Sequence, residues 1–247
     1  MLNSAVLICI AFFVGVLSGG FVNCFTDKFM NKKKNTICNK CNEELRWHDM
    51  IPVLSFLLLK GRCRSCGAKV SRRYPLVELA NGVLFLIVFM ANGWNLLSVC
   101  YCLMTSAFLV ISIVDFKTYE IPLPCNLFLG VVGIIVCILD FGHIWEHLIG
   151  LVAVSGVLYL LFVLSKGAAI GGGDVKLMAV GGLILGWKLG ILAFLVGCIV
   201  GAVCHVIRMK VSKADRILAM GPYLSLGLWV CALWGDQFLQ WYFRGML

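Results

Sequence analysis

Long apolar runs alternate with short polar connections along nearly the whole chain. They fall at about 2–25, 75–91, 95–114, 126–141, 148–164, 177–187, 190–207 and 217–236. A helix crosses ~30 Å of hydrocarbon with ~20 apolar residues, so the pattern predicts an all-α, polytopic bundle of about eight transmembrane helices. The first run, Leu2 to Phe25, lacks the basic start of a secretory signal peptide and reads as a retained helix. The sixth is short: Val175 to Trp187 supplies only about 20 Å of helix. Either the bilayer thins there or the loop before it dips below the headgroups, and the dip is the expectation adopted. Glycines crowd Gly15–Gly20, Gly171–Gly173 and Gly181–Gly190, where helices can approach closely.

The one long polar interruption is residues 26–74, basic and rich in turn residues. The expected division is therefore a first membrane helix (1–25), a small polar domain (26–74) and a helical membrane domain (75–247). Composition removes the soluble alternative. The chain is 61% hydrophobic and 13% charged, with mean hydropathy +0.97, more apolar side chain than a soluble domain can hide. The net charge of +9 is placed unevenly. Of the 21 Lys and Arg residues, all but Lys188 and Arg244 fall in 26–74, 115–125, 165–176 and 208–216. Positive charge marks the cytoplasmic side, so these loops are expected there and both termini outside. The basic excess is a topology signal, with attraction to anionic lipid added, and nucleic acid is not an expected partner.

Within 26–74, Cys38-Asn39-Lys40-Cys41 and Cys63-Arg64-Ser65-Cys66 form two C-x2-C knuckles separated by residues 42–62. That spacing is close to a four-cysteine zinc pattern. Each knuckle offers two thiolates, and Lys40, Arg62 and Arg64 offset the charge of a four-thiolate site. Two disulfides are the competing reading, but a cytoplasmic loop is reducing. Zinc on Cys38, Cys41, Cys63 and Cys66 would be structural, because four protein ligands leave no open position. The remaining cysteines lie in or beside apolar runs and read as small hydrophobes.

Two aspartates stand at the mouths of apolar runs: Asp115 in Val114-Asp115-Phe116-Lys117, and Asp174 in Gly171-Gly172-Gly173-Asp174-Val175-Lys176. Ionisable groups at membrane depth are costly and suggest function. A carboxylate pair sharing one proton can hydrolyse a peptide: the ionised member takes a proton from water while the neutral one hydrogen-bonds the scissile carbonyl. Asp174, at a helix N-terminus, is the expected ionised member, and Asp115, at a C-terminus, the protonated one. The pair meets if the third and sixth helices pack side by side. Gly171–Gly173 let backbone approach a substrate strand and permit positive φ; Pro122 and Pro124 shape the turn after Asp115. Other readings of the same residues stay open. Asp174 can be a helix N-cap, Asp115 an interfacial residue balanced by Lys117, or both can line an ion path.

Taken together, these residues resemble the prepilin peptidase family, membrane aspartyl proteases of type IV pilus, type II secretion and competence systems. The most specific stretch is Cys38 to Glu78, in which Arg46-Trp47-His48-Asp49-Met50-Ile51-Pro52 leads through Gly61-Arg62-Cys63-Arg64-Ser65-Cys66-Gly67 to Arg73-Tyr74-Pro75-Leu76-Val77-Glu78. Gly171-x-Gly173-Asp174-x-Lys176 is similar to the family's second aspartate motif, and Val114-Asp115 with Pro122 to its first. Gly19-Gly20-Phe21-Val22-Asn23 resembles an early family motif, with Gly20 in place of a Ser; Lys117 stands where many members carry a second Asp. The resemblance implies Asp115 and Asp174 as a catalytic dyad and the four cysteines as zinc ligands of a small cytoplasmic domain. It also implies cleavage of the basic leader of prepilins or pseudopilins at the cytoplasmic face of a bacterial inner membrane. N-methylation of the new terminus with S-adenosylmethionine would follow, at residues the motifs do not locate. Presenilin-like proteases share the Gly-x-Gly-Asp element and lack methyl transfer. A carboxylate-gated transporter is the rival of another class. Glu78 is expected to pair with Arg72 or Arg73 ahead of any contact with a basic leader. Trp229, Trp234 and Trp241 suit an aromatic belt.

Overall fold

The computed structural model describes residues 4–31, 41, 52–168, 170–212 and 218–244. Among these residues the regular structure is helical, apart from a single antiparallel bridge between Arg62 and Lys69. Five stretches are long and apolar enough to cross a membrane: Val6–Met30, Arg73–Asn92, Leu96–Thr118, Phe141–Leu164 and Gly172–Val211. Leu123–Leu139 is a shorter apolar helix. The chain divides into two compact units, with the boundary between Trp94 and Asn95.

The first unit holds α1 (Ser4–Asn31), the short α2 (Leu54–Leu58) and α3 (Arg73–Asn92). Glycines seam α1 to α3: a Cβ on Gly15 would lie 2.7 Å from the Gly82 Cα, and one on Gly19 would lie 2.6 Å from the Glu78 Cα. Several polar groups are paired inside this contact. Asn81, fully buried, donates to the Gly15 carbonyl at 2.8 Å and to Ser18 Oγ at 2.7 Å. Glu78 does not take the arginine partner expected for it. It accepts from Asn23 Nδ2 at 3.1 Å and from the Val53 N–H at 2.8 Å, whereas Arg73 pairs with Asp27 at 2.7 Å. Burial explains the exchange: Glu78 faces α1, where a backbone donor and an amide reach it, while Arg73 and Asp27 meet at the more open end.

The second unit comprises α4 (Leu96–Thr118), α5 (Leu123–Leu139), α6 (Ile144–Ala153), α7 (Ser155–Leu164), α8 (Gly172–Ser212) and α9 (Gly221–Arg244). α8 packs against α5, α6, α7 and α9, and α4 against α5 and α9. α8 is broken at Gly186, whose φ of 78° and ψ of 172° are non-helical; such a φ is open to glycine at no steric cost. A Cβ on Gly190 would lie 3.4 Å from the Gly182 Cα, whereas eight residues of straight helix span about 12 Å. The chain therefore doubles back at Gly186. The segments 172–185 and 187–212 correspond to the sixth and seventh apolar runs, and α6 with α7 to the fifth, so a helical segment stands at each of the eight expected runs. The first half of α8 is short, as its run is.

Near this break helical donors run out, and side chains replace them at the Leu183 carbonyl. His147 Nδ1 lies 2.9 Å from it and Cys137 Sγ 3.8 Å. Asp140, between α5 and α6, lies 2.8 Å from His143 Nδ1 and 3.3 Å from His147 Nε2. The His143 contact, helped by His147, holds the Asp140 carboxyl below the usual range. Trp229 departs from a purely interfacial role by donating to Thr105 Oγ1 at 3.0 Å, tying α9 to α4.

Gly150 of α6 and Gly182 of α8 press backbone on backbone, and a Cβ on either would run into the other's main chain. Gly182→Val is expected to cost at least about 1–3 kcal/mol, read as a lower Tm of the purified protein in detergent. Gly142→Ala, where a Cβ meets nothing within 4 Å, should leave Tm unchanged.

Candidate active site

Asp115 occupies the last turn of α4, only 4% exposed. The helix ends just beyond it, where Tyr119 takes a left-handed φ of 57° and returns its N–H to the Asp115 carbonyl at 2.8 Å. Pro122 then caps α5 at φ −62°, with Pro124 in its first turn, as a fixed φ and missing N–H favour. Lys117 is exposed and makes no ion pair with Asp115 among the described residues. The carboxylate instead accepts the backbone N–H of Gly221 at 2.8 Å. Gly221 opens α9, so the bond comes from a helix N-terminus, where free N–H groups and partial positive charge favour an anion. A Cβ on Gly221 would stand 2.8 Å from Asp115 Oδ2, so only glycine leaves the carboxylate room.

Asp174 is the third residue of α8, after Gly172 and Gly173. The N-cap position belongs to Gly171, whose carbonyl accepts the Asp174 N–H at 3.1 Å; the N-cap reading of Asp174 therefore fails. Gly171–Gly173 do not use positive φ, contrary to the freedom expected of them. Their smallness is used for space: a Cβ on Gly173 would lie 2.9 Å from the Ile121 Cβ, and one on Gly171 would lie 3.1 Å from Asp174 Oδ2.

The two aspartates line one cleft of about 290 Å³, near the lower end for ligand pockets. The turn after α4 contributes Tyr119, Glu120 and Ile121, α5 contributes Leu123 and Asn126, and the start of α8 contributes Gly171–Gly173 and an exposed Lys176. They do not meet in the way expected. Among the described residues α4 and α8 make no extended packing with each other; both pack on α5 and α9, which bring their ends together. Asp115 also faces a helix N-terminus, so the helix-end asymmetry used to tell the two carboxylates apart is lost.

Two residues, Gly221 behind Asp115 and Asn126 in the cleft wall, are not singled out by the sequence pattern. Gly221 was hidden inside an apolar run, although Gly221-Pro222 is a helix-start signal. Asn126 stands at the edge of an apolar run; an amide in so apolar a helix is itself a signal.

In the first unit, Cys41, Cys63 and Cys66 place their sulfurs within 4.8 Å of one another; Cys38 lies outside the described residues. The second knuckle is held by Gly67 N–H to the Cys63 carbonyl at 3.0 Å and Cys63 N–H to the Ala68 carbonyl at 2.8 Å. Gly67, at φ 67°, supplies the left-handed turn. Tetrahedral zinc with Zn–S of about 2.3 Å separates its sulfurs by about 3.8 Å, so the cluster fits that ion.

Known proteins resemble this chain over most of its length. Residues 13–92 match the family described as bacterial peptidase A24 N-terminal domain, and residues 102–206 match the type IV leader peptidase family. The first match spans the three clustered cysteines and the second both aspartates. A prepilin leader peptidase/N-methyltransferase of Stutzerimonas stutzeri is 34% identical over 210 residues, 81% of this chain and 72% of that protein. Proteins of the same name from Pseudomonas aeruginosa and Neisseria gonorrhoeae are 32% and 34% identical over 222 and 204 residues. These alignments cover 85% and 80% of this chain, and 75% and 70% of those proteins. No solved structure matches. On its sequence matches over most of its length, the chain belongs to the type IV leader peptidase, or prepilin peptidase, family.

Proposed function

We propose that this protein removes the leader of prepilins or pseudopilins at the cytoplasmic face of a bacterial inner membrane, with Asp115 and Asp174 as the catalytic dyad, and N-methylates the new terminus. The observation that carries the peptidase reading is the cleft shared by two carboxylates from helices far apart in sequence, one of them buried against a backbone N–H. One aspartate, ionised, takes a proton from a water held between the pair. The other, protonated, hydrogen-bonds the scissile carbonyl, and the pair exchanges these roles as the amine leaves. Which carboxylate begins protonated belongs to the dyad as a unit. The shortness of segment 172–185 favours a cleft at the lipid boundary, within reach of water. The basic loops support a cytoplasmic orientation, and the substrate's apolar helix would arrive through the lipid both partners share.

Methyl transfer is assigned to residues 26–74 and the peptidase to 75–247. S-adenosylmethionine would supply the methyl group when bound. Near this domain, the buried Glu78 carboxylate and the Asn23 Oδ1, which lacks a partner among the described residues, suit a cationic, N–H-bearing molecule. Zinc on Cys38, Cys41, Cys63 and Cys66 would hold the loop together without entering the chemistry.

Three outcomes test this reading. Asp115→Asn and Asp174→Asn, each inserted and abundant, should lower leader removal from a co-expressed prepilin reporter by at least about a hundredfold; normal cleavage by either breaks the dyad. Gly221→Ala, which pushes against the Asp115 carboxylate, should lower cleavage by about tenfold or more without loss of insertion. Metal analysis of the purified protein should find a single equivalent of zinc, lost with Cys63→Ser together with part of the thermal stability. Absence of zinc from the unaltered protein would reduce the cysteines to a packing role.

A further inference from the structure

Asn126 stands in the first turn of α5, 4% exposed, and lines the cleft with Asp115 and Asp174. Neither its Nδ2 nor its Oδ1 has a hydrogen-bond partner among the described residues. Elsewhere among the described residues single buried polar atoms lack a partner, such as Ser225 Oγ and Asn23 Oδ1, but Asn126 has both of its side-chain polar atoms unpaired. Several other buried groups in these helices are paired. Asn81 donates twice, and Thr105 donates to the Tyr101 carbonyl while accepting from Trp229. An amide with both ends unpaired is costly in an apolar setting. The residues that follow it, Leu127, Phe128 and Leu129, show that an apolar side chain suits this helix, so the helix itself gives no reason for the amide. The cleft does.

We infer that Asn126 is a substrate-binding residue whose carboxamide pairs with a main-chain peptide group of the substrate beside the bond the aspartates cleave. The inference rests on the peptidase reading. A carboxamide presents a donor and an acceptor side by side, the complement of the N–H and C=O of an extended strand. A strand entering the cleft loses water from its peptide groups, and each must find a protein partner. Asn126 offers both halves of one such pairing within the wall that carries the dyad. Because the contact reads backbone, it recognises an extended peptide whatever its side chains. In the free protein the unpaired amide is kept for that partner.

The test uses the full-length protein in detergent or proteoliposomes with a purified prepilin reporter. Asn126→Leu keeps the approximate shape and removes both polar atoms; Asn126→Ala only removes atoms and carries the same readings if the branched side chain is not accommodated. kcat and KM are measured for each variant, Tm is recorded alongside, and reporter binding is measured in an Asp115→Asn background with and without the Asn126 change. The expected result is a fall of about tenfold to a hundredfold in kcat/KM, carried by KM, with reporter binding weakened by a similar factor. Tm of Asn126→Leu is expected to hold or rise, since the substitution removes an unpaired buried amide. KM and binding within twofold of the unaltered protein overturn the inference, whether or not Tm falls; a fallen Tm would then identify an amide satisfied by trapped water. A loss in kcat alone also overturns it, placing the amide on the attacking water instead. The dyad stands or falls separately: normal cleavage by Asp115→Asn removes the dyad, while the binding comparison still reports on Asn126.

Discussion

The second unit is organised around a carboxylate held at the end of an apolar helix. Burying Asp115 removes most of the water that would solvate it, and a buried charge-bearing group without a partner costs far more than any single packing contact returns. No basic side chain meets it among the described residues. The partner is the N–H of Gly221, and this choice dictates much else. α9 must begin at the level where α4 ends and its first residue must lack a side chain; further along, Trp229 of α9 bonds Thr105 of α4. A backbone donor also leaves the other carboxylate oxygen available to the cleft, where a lysine would have neutralised it.

The second aspartate is placed by a different device. α8 would reach far beyond a bilayer if straight, since its 41 residues correspond to about 60 Å. The break at Gly186 folds it into a hairpin, and the close approach of Gly150 to Gly182 packs its first half against α6. That half carries Asp174 in its opening turn, where Ile121 lies directly against Gly173. The glycines thus act mainly through what they lack. At Gly173 and Gly221 the missing Cβ admits a neighbour; at Gly186 the missing Cβ admits a backbone angle.

The first unit obeys the same economy of polar groups. Asn81 donates to the Gly15 carbonyl and Ser18 on α1, Asn23 Nδ2 to Glu78 and the Tyr74 carbonyl, and the Val53 N–H to Glu78. Its second cysteine knuckle folds as a tight hairpin around Gly61 and Gly67, both at positive φ, so the thiols are aligned by backbone before any ion is considered.

Periodicity and hydropathy alone determined that the chain is a helical membrane protein of about eight crossings, because lipid leaves a run of apolar residues few other ways to satisfy its backbone. The same reading singled out Asp115, Asp174 and the clustered cysteines, since charge and thiolate chemistry are conspicuous against an apolar background. Tertiary structure decided what local pattern does not encode. α4 and α8 meet through α5 and α9, not through each other. Glu78 exchanges its expected arginine for a backbone N–H, and Asp115 finds its donor 106 positions away. Asn126 looks like the start of an apolar helix until its two unpaired atoms are found in a residue that lines the cleft of the carboxylates. Hydropathy reports how much a residue dislikes lipid, but a hydrogen bond depends on distance and direction, which exist only once the helices are packed.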